Sequence, residues 1–468
     1  MISEGMFRGV VRAIHFVGIG GAGMNGIAEV LLNLGFTVTG SDLKAGAAVA
    51  RLRELGATIA IGHAPENLGS ADVVVRSTAV GEENPEVRAA HERLIPVIPR
   101  AEMLAELMRM KQGIAVAGTH GKTTTTSMLA TVLAGCGLDP TIVIGGKLDA
   151  IGANARLGQG DFLVAEADES DGSFMLLAPT VGIITNIDPE HMEHYGSFDR
   201  LVATFVDFAN KVPFYGFTVA CLDHPVVQEI LPQLRKRVLT YGVSRQAAVR
   251  AVDIRFEETR SHFRVLRGGE ELGEVELGMP GHHNVLNALA AFACAHELGL
   301  QPDAIRESLH GFAGVNRRFT VRGEAGGVTV VDDYGHHPVE IRATLEGARA
   351  GWGAQRRLVA VFQPHRYSRV RDLLSDFCRS FNAADHVVVC PVYAAGEAPI
   401  EGLDTRAIAD GLRAHGHRSV SEAENLDAAL AHLAAEVLDG DMVITLGAGN
   451  VNSLCEPLLQ ELAARDTR

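Results

Sequence analysis

The chain has 468 residues, with 42 Lys+Arg against 57 Asp+Glu and a formal net charge of -15. At 47% hydrophobic and 21% charged residues it has an ordinary globular balance, which argues against intrinsic disorder. Its length suits roughly three domains of about 150 residues each; its acidity argues against a general polyanion binder but leaves room for a local phosphate site.

No apolar stretch approaches the roughly 18 residues of a membrane span. Arg8, Arg12 and His15 interrupt any apolar core near the start, so a signal peptide is not expected. The cysteines (136, 221, 294, 378, 390 and 455) form no CxxC pair and are too sparse for a disulfide framework. They are expected to be reduced, mostly buried thiols of a cytoplasmic protein.

Along the chain, short β-branched runs alternate with Gly-rich turns and Ala/Leu-rich helical stretches. Ile14 to Val17 predicts a strand that leads into Gly18–Gly23 and a helix through Glu29 and Leu32. Phe36 to Thr39, ending near Asp42, then Ala57 to Ile61 and Asp72 to Val75, repeat the theme. Such alternation predicts parallel sheets covered by helices, with ligands beyond the carboxyl ends of the strands. Leu94–Arg100, with two prolines, breaks this first series, and Ala101 to Met110 reads as a helix. A second series has strands at Ile114–Ala117, Asp161–Ala167 and Val181–Asn186. From about Val249 to Leu277 the residues alternate and are studded with charge, which predicts antiparallel strands. An Ala-rich helix follows from about Asn284 to Leu298. A third series starts near Gly327, with strands at Val328–Val331, Leu358–Phe362, His386–Cys390 and Met442–Leu446. Domain boundaries are placed near 108 and 316.

Gly118-Thr119-His120-Gly121-Lys122-Thr123-Thr124 directly follows a strand and opens a helix. A helix N-terminus offers unpaired N–H groups and a positive dipole end, and glycines let the backbone wrap phosphate oxygens. Lys122 can neutralise β/γ-phosphate charge, and the Thr123 hydroxyl can ligate Mg²⁺. The match to GxxxxGK[ST] is imperfect, because Val116 stands at the first Gly position. The competing reading is a Gly-rich connection with a surface lysine; the strand–loop–helix context favours phosphate.

Glu166-Ala167-Asp168-Glu169-Ser170-Asp171 follows a second apolar strand. It reads either as a Mg²⁺ shell or as a solvated acidic turn. Asp188-Pro189-Glu190-His191-Met192-Glu193-His194 follows a third. There His191 is a metal ligand, an acid/base group or a solvated loop histidine. Three such strand ends in one series converge on one sheet edge.

Gly18-Ile19-Gly20-Gly21-Ala22-Gly23 fits GxGxxG, and Asp42 lies 24 residues after Gly18, where an acid often meets a ribose hydroxyl. The physics is pyrophosphate on a helix N-terminus plus a ribose contact, which NAD and a UDP-sugar satisfy equally. In the third region Asp332-Asp333-Tyr334-Gly335-His336-His337-Pro338 and Gln363-Pro364-His365-Arg366-Tyr367-Ser368-Arg369 both follow strands. Arg366 and Arg369 can clamp a carboxylate or phosphate. Asn316-Arg317-Arg318-Phe319 is a further basic cluster at the second boundary, readable also as an exposed hinge.

Together these segments resemble the Mur ligase family, most closely its alanine-adding branch, across nearly the whole chain. The resemblance rests on HFVGIGGAGM at His15–Met24, AGTHGKTTT at Ala117–Thr125 and EADESDGSF at Glu166–Phe174. It continues with TNIDPEHMEHY at Thr185–Tyr195, GHHNVLNALAA at Gly281–Ala291, RRF at Arg317–Phe319, DDYGHHP and FQPHRYSR. Asn316 stands where a basic residue is expected before RRF, and Glu190 where Asp often precedes the His.

The resemblance implies a three-domain α/β fold. Residues 1–108 form a Rossmann-like UDP-substrate domain, 109–316 a P-loop ATPase with a mixed sheet, and 317–468 a Rossmann-like amino-acid-binding domain that closes. It implies ATP-dependent ligation of L-alanine to the carboxylate of UDP-N-acetylmuramate through an acyl phosphate, in peptidoglycan precursor synthesis. ATP and Mg²⁺, as two ions, are the implied cofactors, with no nucleic acid and no membrane insertion.

By motif match, Lys122, Glu166, His191 and His336 are the catalytic candidates, and Thr123, Glu166 and His191 the metal ligands. Gly118 to Thr124, Asn284, Asn287, Arg318 and Asp333 are the ATP contacts. Gly18, Gly20, Gly21, Ala22, Gly23, Asp42, Ser77 and Thr78 would hold the UDP part. Tyr334, His336, Arg366 and Arg369 would recognise alanine and phosphate. Three rivals stand beside this reading: a ligase of the same family that recycles UDP-muramate with an intact peptide, an NAD-dependent oxidoreductase, and a non-catalytic nucleotide-binding regulator.

Overall fold

The computed structural model describes residues 11–21, 23–77, 79–148 and 153–465, so Ala22 and Thr78 lie outside the described residues. The chain has a three-domain α/β fold with three sheets. The first has five strands: β1 (Ala13–Val17), β2 (Thr37–Asp42), β3 (Thr58–Ile61), β4 (Val73–Arg76) and β5 (Val97–Pro99). All pair in parallel, in the order β3-β2-β1-β4-β5. Ile14 to Val17 are fully buried, as a central parallel strand covered on both faces requires. The chain runs outward from β1 to β3, then returns to β4, so β1 and β4 flank a switch point, the place where open parallel sheets bind ligands at the carboxyl ends of their strands. Strand β5 lies within the stretch expected only to break the series. Its prolines are tolerated because β5 is an edge strand, where a missing N–H leaves no ladder bond broken.

The second sheet has ten strands: β6 (Gln112–Ala117), β7 (Thr141–Leu148), β8 (Ala153–Arg156), β9 (Phe162–Glu166), β10 (Val181–Ile184), β11 (Phe217–Cys221), β12 (Val238–Gly242), β13 (Val249–Glu257), β14 (Arg260–Arg267) and β15 (Glu270–Leu277). Their order is β15-β14-β13-β12-β11-β10-β6-β9-β7-β8. Two-residue turns join β13, β14 and β15, so these neighbours run antiparallel, as the alternating pattern predicted. β6 lies between β10 and β9, which brings the three carboxyl ends singled out in the sequence side by side.

The third sheet has six strands: β16 (Thr320–Ala325), β17 (Val328–Asp333), β18 (Leu358–Phe362), β19 (His386–Val389), β20 (Val420–Glu422) and β21 (Met442–Leu446). The order is β16-β17-β21-β18-β19-β20, with β16 antiparallel to β17 and the others parallel. The sheet therefore begins before Gly327, where the third series was expected to start. Strand β16 is exposed and charged, so it carries little hydrophobic signal. Gly326 and Gly327, at φ 55° and 69°, make the tight hairpin to β17. Alternate residues feed two cores: Val331, Ala360, Phe362 and Ile444 on one face, Val330, Val359, Val361 and Val443 on the other.

By internal packing the chain forms two compact units. The first runs to Val252 and includes 264–275 and 286–313; the second includes 253–263, 276–285 and the chain from Gly314 onward. All six cysteines are free thiols and five are buried. Among the described residues no helix is long and apolar enough to cross a membrane.

Candidate active site

In the first unit, β6 ends at Ala117 and the helix Lys122–Gly135 starts five residues later. In that helix four threonines, poor helix formers, follow Lys122, so burial rather than propensity holds it. Thr124 to Leu129 are buried, Thr126 Oγ1 donates to Lys122 O (2.8 Å), and Thr125 Oγ1 donates to Asn287 Oδ1 (3.1 Å). Gly118 has φ 136°, and a Cβ there would collide with Thr185 Oγ1. Gly121, the N-cap, has φ 81°, and a Cβ would lie 2.6 Å from Asn287 Oδ1. These glycines are therefore required by both backbone conformation and space.

Asn186 shapes the loop from the β10 side. Its Oδ1 accepts the His120 N–H (2.7 Å), its Nδ2 donates to His120 O (3.0 Å), and its carbonyl accepts the Thr119 N–H (3.2 Å). Thr185 Oγ1 also donates to His120 O (2.7 Å). Thr125 is the first helical residue to bond back, to Gly121 O (2.9 Å). The N–H groups of Lys122, Thr123 and Thr124 are thus the orphan donors of the helix start, the set an anion would take.

Lys122 Nζ donates to Gly118 O (2.7 Å), Thr119 O (3.1 Å) and Glu169 Oε1 (2.9 Å), with Glu169 Oε2 at 2.7 Å. Burial opposes the Lys122 charge, but Glu169 and Asp168 outweigh it and hold its pKa above the ordinary value. Burial pushes the Glu169 carboxyl up, and the Lys122 charge opposes that shift. The Tyr195 hydroxyl donates to Glu169 O (2.5 Å) and pins this turn. Burial raises the Asp168 carboxyl too, but Lys122, hydrogen bonds from Ser170, and Arg100 bring it below the ordinary value.

Glu166 closes β9, and His191 caps a short helix, Met192–Tyr195, after β10. His191 sits in the left-handed region at φ 59°, a strained setting for a non-glycine residue. Of the three expected metal ligands, Glu166 ends β9, Thr123 lies in the first turn of the helix after β6, and His191 lies seven residues past β10, on the connections that follow three neighbouring strands. His120 Nε2 and His224 Nε2 both approach the Asp188 carboxylate, at 3.5 and 3.3 Å.

At the first sheet the glycine turn is closed by its own side chains. Asp42 Oδ2 accepts the Gly20 N–H (2.9 Å), and Gly18 and Ile19 donate to Ser41 O. Gly23 is the left-handed N-cap (φ 79°) of the helix Met24–Asn33. A Cβ on it would meet Arg100 Nη1 at 2.6 Å, and Arg100 Nη2 lies 3.9 Å from Asp168 Oδ2. Arg100 therefore joins the glycine turn of the first sheet to the acidic turn of the second. Ser77 follows β4 and packs against Gly18.

In the second unit the candidates cluster around Tyr334. The guanidinium carbons of Arg317 and Arg318 lie 5.1 and 5.3 Å from its ring centre. His336 meets Tyr334 edge-on at 5.3 Å and His365 at 6.0 Å. Asp333 is buried and accepts the N–H groups of Phe319 (2.8 Å) and Gly335 (2.7 Å). Glu340 Oε2 accepts from the N–H groups of His336 (3.1 Å) and His337 (3.3 Å), and its Oε1 from Arg318 (3.3 Å). His365 is pushed down to about 4 by burial and by the charges of His336, Arg369 and Arg366, so it is neutral near pH 7. Arg366 caps the helix Tyr367–Phe377 at φ 67°, and Arg369 Nη1 reaches His365 Nδ1 (3.4 Å). Asn284 Nδ2 donates to Pro280 O (2.8 Å).

The sequence reading gave no role to Glu169, Asn186, Arg100 or Gln363. Gln363 is buried and binds Asn450 Oδ1 (2.9 Å) and the Val451 N–H (3.1 Å), while Arg317 donates to the Gly447 and Gly449 carbonyls. Glu169 and Asn186 stand inside stretches already singled out, but which acid or amide would turn inward depends on the loop's path. Arg100 and Gln363 are joined to partners far along the chain, and no spacing rule reaches them.

Three family models match in chain order: Mur ligase family, catalytic domain over 13–112; Mur ligase middle domain over 116–295; and Mur ligase, glutamate ligase domain over 317–449. The chain is 58% identical over 458 residues to the UDP-N-acetylmuramate–L-alanine ligase of Syntrophotalea carbinolica, covering 98% of this chain and 100% of that one. It is 56% identical over 455 residues to the protein of that name in Geobacter sulfurreducens, covering 97% and 98%. Among solved structures, UDP-N-acetylmuramate-alanine ligase of Thermotoga maritima superposes with a TM-score of 0.81 at 30% identity, covering 97% of this chain and 100% of that one. A murein peptide ligase of Psychrobacter arcticus 273-4 gives 0.68 at 25% identity, covering 97% and 99%.

Proposed function

The chain belongs to the Mur ligase family, and from that premise we propose that it joins L-alanine to the carboxylate of UDP-N-acetylmuramate, converting ATP to ADP and phosphate. The observation that carries this reading is near-complete, end-to-end similarity to ligases of that name, and it is supported by the strand, glycine loop and helix that set Lys122 at a helix start after β6. The setting is the cytoplasm, where ATP and the nucleotide-linked substrate are found together.

A carboxylate resists amines because oxide is a poor leaving group. Transfer of the γ-phosphoryl group makes an acyl phosphate, which the alanine amine attacks through a tetrahedral intermediate that expels phosphate. Such transfer is mainly a matter of positioning and charge neutralisation. The orphan N–H groups of Lys122 to Thr124 bind the phosphates, and the Lys122 ammonium balances charge on the transferring group. Glu169 and the Gly118 and Thr119 carbonyls hold that ammonium in place. Thr123, Glu166 and His191 would hold Mg²⁺, in one or two ions, which supplies shielding between phosphate and carboxylate. Gly18 to Gly23, Asp42, Ser77 and Thr78 bind the UDP part, and Asn284, Asn287, Arg318 and Asp333 the nucleotide. Tyr334, His336, Arg366 and Arg369 recognise alanine and the released phosphate, with His336 the candidate base for the amine.

The test is phosphate release from ATP and Mg²⁺, with UDP-N-acetylmuramate and L-alanine added singly and together. Release that needs both, with the amide product found by mass, is the expected result. Release with UDP-N-acetylmuramate and a free tripeptide, but not with alanine, would overturn the alanine assignment in favour of the recycling ligase and leave the ATP site standing. No release under any combination would overturn the ligase reading.

A further inference from the structure

Behind the first sheet's carboxyl edge lies a buried polar network that the roles above do not use. Glu86, in the helix Pro85–Glu92, is fully buried. Its Oε2 accepts from Ser41 Oγ (2.5 Å) and approaches His15 Nε2 (3.3 Å). Its Oε1 accepts from Asn67 Nδ2 (2.5 Å) and the Ala64 N–H (3.2 Å). His15 is itself buried, with Nδ1 on Thr39 Oγ1 (2.8 Å). Burial raises the Glu86 carboxyl, but the hydrogen bonds from His15, Ser41 and Asn67 bring it down to about 2. Glu86 is therefore ionised at neutral pH and accepts hydrogen bonds only.

This fixes the protons around it. Ser41 has one hydroxyl proton, and it points to Glu86. Ser41 Oγ also lies 2.9 Å from His63 Nδ1, so toward His63 it accepts, and Nδ1 carries a hydrogen. In the neutral ring Nε2 is then a bare lone pair. Among the described residues none hydrogen-bonds that Nε2, and it is not among the buried polar atoms. His63 lies two residues past the end of β3, and the N–H of the intervening Gly62 donates to Asp42 O (2.9 Å), which ties the backbone there to the end of β2.

We infer that His63 presents Nε2 as a fixed acceptor for the N3–H of a uracil base, and that Glu86, acting through Ser41, is the positioning residue that sets this tautomer. The inference rests on the UDP-substrate reading. In that reading the diphosphate lies at the glycine turn after β1 and the ribose at Asp42 after β2. One strand further out, about 5 Å along the sheet, is β3 and His63, a step that matches ribose to base. Uracil carries a hydrogen on N3, whereas cytosine has a lone pair there. An acceptor held by the protein accordingly selects uracil and repels cytosine, and discrimination by a buried or oriented polar group greatly exceeds that by shape alone.

The experiment is calorimetric titration of UDP, CDP and 2′-deoxy-UDP into the full chain, wild type and His63→Ala, with KM for the UDP-substrate and for ATP measured alongside. Wild type is expected to bind UDP at least about tenfold more tightly than CDP, and His63→Ala to bring the two within about twofold. KM for the UDP-substrate should rise about tenfold in His63→Ala, well beyond any fall in kcat, with KM for ATP little changed. A side chain that only supports the fold would move kcat, both KM values and the melting temperature together. His63→Gln, whose amide oxygen reaches the Nε2 position, should restore most UDP affinity. Its amide can also turn to donate, so UDP/CDP selection should return only in part. Retained selection in His63→Ala, or equal binding of UDP and CDP by wild type, overturns the inference. A loss in His63→Ala that appears for UDP but not for 2′-deoxy-UDP moves the contact to the ribose and also overturns it. Wild type that binds neither nucleotide overturns the UDP-substrate reading itself, and the inference with it.

Discussion

Replacing Glu86 by Gln tests the buried network through stability rather than activity. The carboxyl falls from 4.5 to about 2 on folding, and each tenfold change in proton affinity is worth about 1.4 kcal/mol. The side chain is fully buried, so solvent screening does not reduce this, and the ionised form adds about 3 kcal/mol to the fold. A depressed carboxyl stabilises above its unfolded value of 4.5, and that contribution is lost as pH falls toward 2. Between pH 6 and pH 3 wild type should lose about 2 kcal/mol that Glu86→Gln, having no proton to gain, does not lose. A chain of several domains need not unfold in one step, so the assay must be local. Urea-dependent hydrogen exchange of peptides covering β1 and β2, corrected for the intrinsic rate at each pH, reads that region alone. The stability gap between wild type and Glu86→Gln should narrow by about 2 kcal/mol over this range. Parallel curves would mean that Glu86 is not ionised by its partners, and the tautomer assigned to His63 would lose its basis.

Other substitutions separate loop geometry from charge. Lys122→Ala should abolish turnover, by at least about a thousandfold, while UDP-substrate affinity measured by calorimetry stays within about threefold; an equal loss of affinity would mean the substrate domain is misplaced. Glu169→Ala leaves the Lys122 ammonium buried with only carbonyl partners and should destabilise the first unit by about 3 kcal/mol, read as lost protection of helix 122–135 in hydrogen exchange. Gly121→Ala must hold a left-handed N-cap and push Asn287 aside, so KM for ATP should rise about tenfold or more, with the UDP-substrate KM little changed. His336→Ala should alter the pH dependence of kcat; an unchanged profile would remove His336 as the base for the amine.

What the sequence determined by itself was local. Strand, Gly-rich turn and helix recur because period-2 apolar runs and left-handed glycines have few alternatives, and β1, β6, β9, β10 and β17 appear where the pattern put them. The phosphate loop was legible because its chemistry lies within seven consecutive residues, and the family resemblance because eight such stretches occur in order. Elements with weak hydrophobic contrast escaped notice, namely the proline-bounded edge strand β5 and the exposed β16; β11 and β12 also escaped, although β11 is buried throughout, because neither is followed by a Gly-rich turn with chemistry of its own.

What the tertiary structure decided was partnership. Asp42 stood in the sequence as a candidate for a ribose contact, but only the fold shows its carboxylate closing the glycine turn on Gly20. Glu169 was one acid among four in its turn, until the loop's path set it on Lys122. Arg100 meets Gly23 and Asp168 across 77 and 68 residues of chain, and Glu86 reaches His15 across 71. A hydrogen bond needs its two atoms within about 3 Å, whereas sequence spacing constrains position only within a single element. Proton placement on His63 is further removed still, because it follows from a carboxylate that the ring itself scarcely touches.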